Sequence, residues 1–249
     1  MTAPTPDRPL PFLPAALLLA LGLGIAGLFV GRGFVEARSA DRYVTVKGVA
    51  ERDVDADLAV WTLQFTSGGN DLSQVQRVVS ANIERTLTFL ERYGIQPDDV
   101  SVAGVRVVDA AANPYQQGPV VNRYAMTQTI VIRSEQPRVV EEASQNVGDL
   151  VEAGVVFVSG QEYGPGGPTY LFRALNDIKP EMIAEATARA REAAAEFASD
   201  SGSRLGGIRR ANQGVFQILP RDPTPGVAES NRIEKTVRIV TTVEYLLRD

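Results

Sequence analysis

Hydrophobic and polar residues alternate along this chain with two different periods, and the changes between them mark out its elements. Leu10–Val30 (LPFLPAALLLALGLGIAGLFV) contains no charged residue and is long enough for a bilayer span of about 20 residues. The period then drops to two. Arg42–Ala50 and Ala56–Thr66 read as a strand pair joined by a turn at ERDVD, with Ala59, Trp61, Leu63 and Phe65 on one face. A helical stripe follows over Leu72–Tyr93, made of Leu72, Val75, Val79, Ile83, Leu87 and Leu90, with Asn70 or Asp71 as cap and Gly94 as stop. Val100–Asp109 and Arg123–Arg133 predict two more strands, and AANPYQQGP between them has the turn chemistry of a hairpin tip. A second helix is expected over Gln136–Val151 and a strand over Val155–Ser159. The breaker GPGGP follows at Gly164–Pro168.

The second half is organised around one long helix, Pro180–Ser201, flanked by extended runs at Thr169–Ala174 and Leu205–Pro220. Met182, Ile183, Ala186, Ala190, Ala193, Ala194 and Phe197 gather on one face at about 100° per residue. Glu185–Arg189 is a favourable pair four residues apart. A face built largely of alanine cannot fill a thick core, but it lets a helix backbone come close to a flat partner. Pro180 suits a first turn and Gly202 a left-handed stop. In the final run, Ile233–Leu247, Val237, Ile239, Thr241, Val243 and Tyr245 share one side, with Val240 and Leu246 on the other. Apolar content on both faces places that strand away from a sheet edge. Together these elements predict an α+β fold, with an N-terminal transmembrane helix and two similar strand-strand-helix-strand-strand halves, antiparallel sheets and helices on one face. The expected divisions are a tail (1–9), an anchor (10–31), a tether (32–41) and an α+β domain (42–249).

Composition narrows the chemistry mostly by what is missing. The 249 residues include no cysteine and no histidine. Thiol catalysis, disulfides, Ser-His-Asp triads, HExxH zinc sites and His-held haem are therefore excluded. A net charge of −5, with Lys and Arg dispersed, argues against nucleic acid as a partner. An enzyme would have to rely on carboxylates, Lys, Tyr, Ser or Arg. Asp53, Asp55 and Asp57 alternate in RDVDAD and are weak candidates for a hard cation, because the EF-hand glycine and terminal glutamate are missing. A solvated turn is the plainer reading. GPGGP lacks the Lys-Ser/Thr of a phosphate loop. Lys47, Lys179 and Lys235 are the only lysines, and none stands in an SxxK arrangement. Trp61, Phe65 and Tyr245 read as core aromatics, whereas Tyr115 and Tyr124 near the hairpin tip are candidate contact residues. No catalytic, cofactor or firm metal site emerges, and no cofactor is expected.

The N-terminal apolar run fits an uncleaved anchor. The alternatives are a cleaved signal peptide, for which ARSA (Ala37–Ala40) would put Arg38 at the −3 position, and a buried core helix. Ala16, Ala20 and Gly24 recur every four residues, and Gly27 and Gly31 repeat the spacing, which permits close helix pairing in lipid. Gly and Ala are also simply common in membrane helices. Arg8 on one side faces Arg32, Arg38 and Arg42 on the other, so charge alone leaves the orientation open.

From Tyr43 to Asp249 the chain resembles the SIMPL-domain family of bacterial envelope proteins. The resemblance rests on VTVKGVAERDVDADLAVWTLQF, on YGIQPDDVSVAGVRV at the end of the first domain helix, and on LNDIKPEMIAEATARAREAAAEFASDSGSRLGGIRRANQGVF followed by VRIVTTVEYLL. It implies a periplasmic or membrane-anchored envelope protein with no established enzymatic activity. With the apolar run, the expectation is a non-catalytic protein held in the bacterial inner membrane by a single pass, its C-terminal domain in the periplasm. The resemblance further implies homo-oligomeric assembly and a part in oxidative-stress tolerance. The family supplies no catalytic residues to carry over, and members with a cleaved signal peptide are common. Exposed strand edges give such assembly a physical route. The alternative is a periplasmic module that binds a partner or a small ligand, of unknown identity, near Tyr115, Tyr124 and the GPGGP loop. A hydrolase working through paired carboxylates stands last.

Overall fold

The computed structural model describes residues 13–39, 42–112, 121–158 and 166–248. In chain order the elements are α1 (Leu13–Ser39), β1 (Tyr43–Asp55), β2 (Leu58–Gly69), α2 (Leu72–Arg92), β3 (Val100–Asp109), β4 (Tyr124–Ser134), α3 (Pro137–Gln145), α4 (Gly148–Glu152), β5 (Thr169–Leu171), α5 (Leu175–Asp200), β6 (Arg204–Gln213), β7 (Gln217–Pro220) and β8 (Glu234–Arg248). The fold is α+β with an N-terminal apolar helix and two antiparallel sheets. One sheet has the order β3-β4-β2-β5. The other runs β1-β8-β6, with β7 also paired to β8.

Residues 50–184 and 215–239 form one compact unit, and residues up to 49 with 185–214 and 240–248 form another. In the first, β2 and β4 put Trp61 opposite Ile132 and Leu63 opposite Ile130. These side chains, with Phe65, are buried beneath Val75, Val79, Phe89 and Leu90 of α2 and Val140 and Ala143 of α3. Burial of this apolar surface is the main favourable contribution in this unit. Asp71 caps α2, its Oδ1 accepting from the Ser73 amide at 2.8 Å and the Gln74 amide at 3.3 Å. Gly94, at φ +87°, ends the helix. The buried face is Val75, Val79, Asn82, Thr86, Phe89 and Leu90, whereas Leu72 is exposed. The face is thus turned relative to the expected Leu72-Ile83-Leu87 stripe. Thr86 can lie inside because its hydroxyl donates to the Asn82 carbonyl at 2.8 Å.

In the second unit the alanine face works as the composition requires. Gly48 of β1 lies against α5, and a Cβ there would stand 2.6 Å from the Ala190 amide nitrogen and closer still to the Ala186 carbonyl oxygen. Val44, Ala190, Ala194, Val243 and Tyr245 form this unit's core cluster.

Several expectations are corrected. β1 and β2 are not a strand pair, because they belong to different sheets. ERDVD continues β1 rather than turning. The chain changes sheet at Ala56 and Asp57, whose amides donate to the carbonyls of Ile233 at 2.8 Å and Leu171 at 2.9 Å. No glycine or asparagine stands there to take the positive φ of a tight hairpin, and none forms. The sheets also do not follow two sequence halves: β1 joins the later strands and β5 joins the earlier ones.

The expected helix over Gln136–Val151 is broken into α3 and α4, with Asn146 and Val147 between them. Among the described residues of the expected Val155–Ser159 strand, only a bridge between Phe65 and Phe157 forms. The long helix starts at Leu175, which leaves Pro180 inside it, near enough to the N-terminal end that only an early hydrogen bond is lost. Its buried stripe is Met182, Ala186, Ala190, Ala194 and Ala198, while Ala193 is exposed and Phe197 is 58% exposed. α1 continues to Ser39, through most of the stretch expected as a tether.

Candidate functional site

β3 carries a glycine in mid-strand, and an isolated strand glycine signals a bulge. Pairing with β4 runs in register from Val100↔Ile132 to Ala103↔Thr129, then resumes at Val105↔Gln128. Gly104 is the extra residue, at φ +39°, in the left-handed region that glycine tolerates. One inserted residue reverses the alternation. Val105 and Val107 therefore share the face of Gln128 and Met126, and Arg106 falls on the opposite, open face beside Thr127.

The bulge is anchored from below. Gln128 is 5% exposed, and its Nε2 donates to the Ala103 carbonyl at 2.7 Å and to the Thr129 carbonyl at 2.9 Å. A buried amide on an otherwise apolar face costs free energy unless satisfied. Here it supplies the donor that the disrupted ladder lacks.

Above the bulge lies a trough of about 340 Å³, floored by Gln64, Thr127 and Thr129 and walled by Arg106, Gly104–Val105 and Val158. Gln64 Nε2 donates to Thr129 Oγ1 at 3.1 Å. Thr127 Oγ1 donates to Thr66 Oγ1 at 3.4 Å, and Thr66 in turn to the Met126 carbonyl at 3.2 Å. The trough offers a guanidinium, hydroxyls and an amide for recognition. Sequence reading passed over it, although the lone glycine in VAGV was the available signal.

The residues singled out in sequence are not brought together. Tyr115 lies outside the described residues, as do Gly164 and Pro165 of GPGGP. Tyr124 is half-buried against the core cluster, with the Arg123 guanidinium 5.0 Å above its ring. Arg123 also pairs with Asp109 at 3.2 Å, and its hydrogen bond holds the Asp109 carboxyl below the ordinary aspartate value.

Asp53, Asp55 and Asp57 are each held by protein donors, and Arg221 is shared by the first two. Asp53 accepts from Thr236 Oγ1 at 2.6 Å and pairs with Arg221 at 3.5 Å. Asp55 pairs with Arg138 at 3.1 Å and Arg221 at 3.5 Å. Asp57 accepts the amides of Arg173 at 2.9 Å and Ala174 at 2.8 Å. Arg138 also holds Glu234 at 2.9 Å. These carboxylates tie strand ends and connections together, and among the described residues no group of three or more acids is placed to hold a metal ion.

Lys235 is fully buried on the inner face of β8. Its Nζ donates to the Glu229 carboxylate and, at 3.0 Å, to the Glu229 carbonyl. Lys179 bonds Asn176 Oδ1 at 2.8 Å. Burial raises the Tyr170 hydroxyl to about 12, so it stays protonated. Ala16, Ala20, Gly24, Gly27 and Gly31 are all exposed, and nothing in the described chain lies within 4 Å of where a Cβ on those glycines would be.

The Uncharacterized protein YggE of Edwardsiella ictaluri (strain 93-146) is 29% identical over 89 residues, which is 36% of this chain and 37% of that protein. The match thus spans little more than a third of the relative's length. Two crystal structures from Listeria innocua, one of an uncharacterized conserved protein and one of a hydrolase, share 14% and 13% identity. Each alignment covers 76% of this chain and 90% of the other, at a TM-score of 0.19, too low to transfer fold or activity. The SIMPL family, described as a protein of unknown function (DUF541), matches residues 44–245. That match runs from the second residue of β1 to within three residues of the end of β8 and takes in both sheets, and so the chain belongs to the SIMPL family.

Proposed function

We propose that this protein is a membrane-anchored envelope protein that acts by contact rather than by making bonds, self-assembles, and supports tolerance of oxidative stress. The observation that carries the reading is α1. Its window Ala16–Gly33 is apolar enough to cross a bilayer and no part of it is buried by the described chain. At 27 residues the helix is about 40 Å long, against a hydrocarbon core of about 30 Å. Leu17, Leu18, Phe29 and Val30 are all more than 60% exposed, an arrangement that water disfavours and lipid does not. The small residues on this helix leave room for a second copy in the bilayer.

Outside the bilayer, the strand edges supply the second contact. β3 and β6 each end a sheet. β6 carries Arg204, Arg209 and Arg210 and two register shifts, features that discourage edge pairing. β3 instead exposes Val102, Val105, Val107 and Val108, and it is the better edge for assembly. Family membership supports the envelope and periplasmic setting, which is also where the stress role would be exercised.

A topology reporter at the C-terminus, read with the mass of the mature protein, tests the anchor. An active periplasmic reporter on a full-length chain is the expected result, and a cytoplasmic one rejects it. Native mass spectrometry of the detergent-solubilised chain should show an oligomer that Val107→Lys breaks down. A strict monomer at high concentration would remove the assembly claim. Loss of peroxide survival on deletion, restored by the intact chain, is expected for the stress role.

A further inference from the structure

We propose that the trough beside the Gly104 bulge is a binding site for a small hydroxyl-rich carboxylate, of the chemical class of a sugar acid. The proposal stands apart from the assembly reading, because the site is complete within one chain.

Arg106 supplies the charge of the site. Among the described residues it has no acidic partner, unlike Arg123, Arg138, Arg173 and Arg221, which all hold carboxylates. What sets it apart from other such arginines is its place: the bulge, not the ordinary strand period, turns it to the open face, where it lines the trough with Thr127 and Thr129. Arginine presents a planar fork of donors that fits a carboxylate in two-point fashion.

The floor supplies the rest of the chemistry. One Gln64 amide proton and the Thr127 and Thr66 hydroxyl protons are already committed. That leaves Gln64 Oε1 and Thr127 Oγ1 as acceptors, and the second Gln64 amide proton and the Thr129 hydroxyl proton as donors. A mixed set of acceptors and donors matches sugar hydroxyls, each of which both donates and accepts. Val158, lining the same trough, offers apolar surface to the C–H side of a ring. About 340 Å³ falls at the small end of ligand pockets, suited to one ring rather than a chain of them. A bare anion would use Arg106 and leave the floor groups unused.

The test is calorimetric titration of the full-length chain in detergent with three probes: D-glucuronate, acetate and inorganic phosphate. Glucuronate should saturate one site per chain and bind at least about tenfold more tightly than the other two. Arg106→Gln should weaken glucuronate by about tenfold or more. Thr129→Val should weaken glucuronate while leaving acetate unchanged, which separates the floor from the charge. Arg133→Gln, on the same open face of β4 but outside the trough, should change nothing. The proposal is overturned by a lack of saturable glucuronate binding, by equal affinities for all three probes, or by an Arg106→Gln chain that binds as well as the original. Native mass spectrometry of the same samples scores assembly separately, so either idea can fail alone.

Discussion

Single side chains at close approaches carry large consequences here. Gly48→Ala would drive a methyl group into the backbone of α5 at Ala186 and Ala190, and the close packing leaves no flexible side chain to yield. Overpacking of this kind costs about 1–3 kcal/mol, which chemical denaturation should report as a lower midpoint at unchanged slope. Phe197→Ser makes the contrasting case. The sequence places Phe197 on the inner face of its helix, yet it is 58% exposed. Its loss should change stability by less than about 0.5 kcal/mol.

Acid sensitivity is also set residue by residue. Asp71 is held below the ordinary aspartate value by the Ser73 hydroxyl, Asp109 by Arg123, Glu181 by Arg52, and Glu234 by its own amide and then Arg138. Each folded value lies below the unfolded one. The stability these groups contribute is therefore present above the ordinary carboxylate values, 3.8 and 4.5, and is lost as pH falls through the lower folded values. Thermal midpoints should fall below about pH 4, and Glu234→Gln should make that fall shallower.

Among the elements, the most legible were those whose period and punctuation agree. α2 was readable from its stripe, its Asp71 cap and its Gly94 stop, and β8 from the alternation Val237-Ile239-Thr241-Val243-Tyr245. What the pattern could not give was which face a helix turns when nearly every candidate is alanine. In α5 the buried stripe is fixed by Gly48 on another element, not by anything within the helix. The bulge was illegible for a similar reason: a glycine in a strand says that alternation will break, but the partner that stabilises the break, Gln128, lies 24 residues away. Gln128→Leu keeps a comparable volume and strands the Ala103 carbonyl, so it should cost about 1–3 kcal/mol. Hydrogen exchange should show the β3–β4 amides near Gly104 losing protection first.

At the scale of the whole molecule, the class of fold was legible and the pairing of its strands was not. Periodicity says where strands are, but only long-range partners decide which sheet receives them. Nothing in RDVDAD distinguishes a hairpin from a crossing between sheets until Ile233 and Leu171 are seen to accept the amides of Ala56 and Asp57. The order β1-β8-β6 bears on how the protein is made. The first strand to leave the ribosome has its neighbour in the last one, about 190 residues later. Until that late segment arrives, the early strand waits without a ladder and the α5 alanines lack half of their floor. Completion of this sheet thus waits on the segment from Glu234 onward, and a nascent chain stalled before it would leave β1, β6 and β7 without their common partner, open to any holdase within reach.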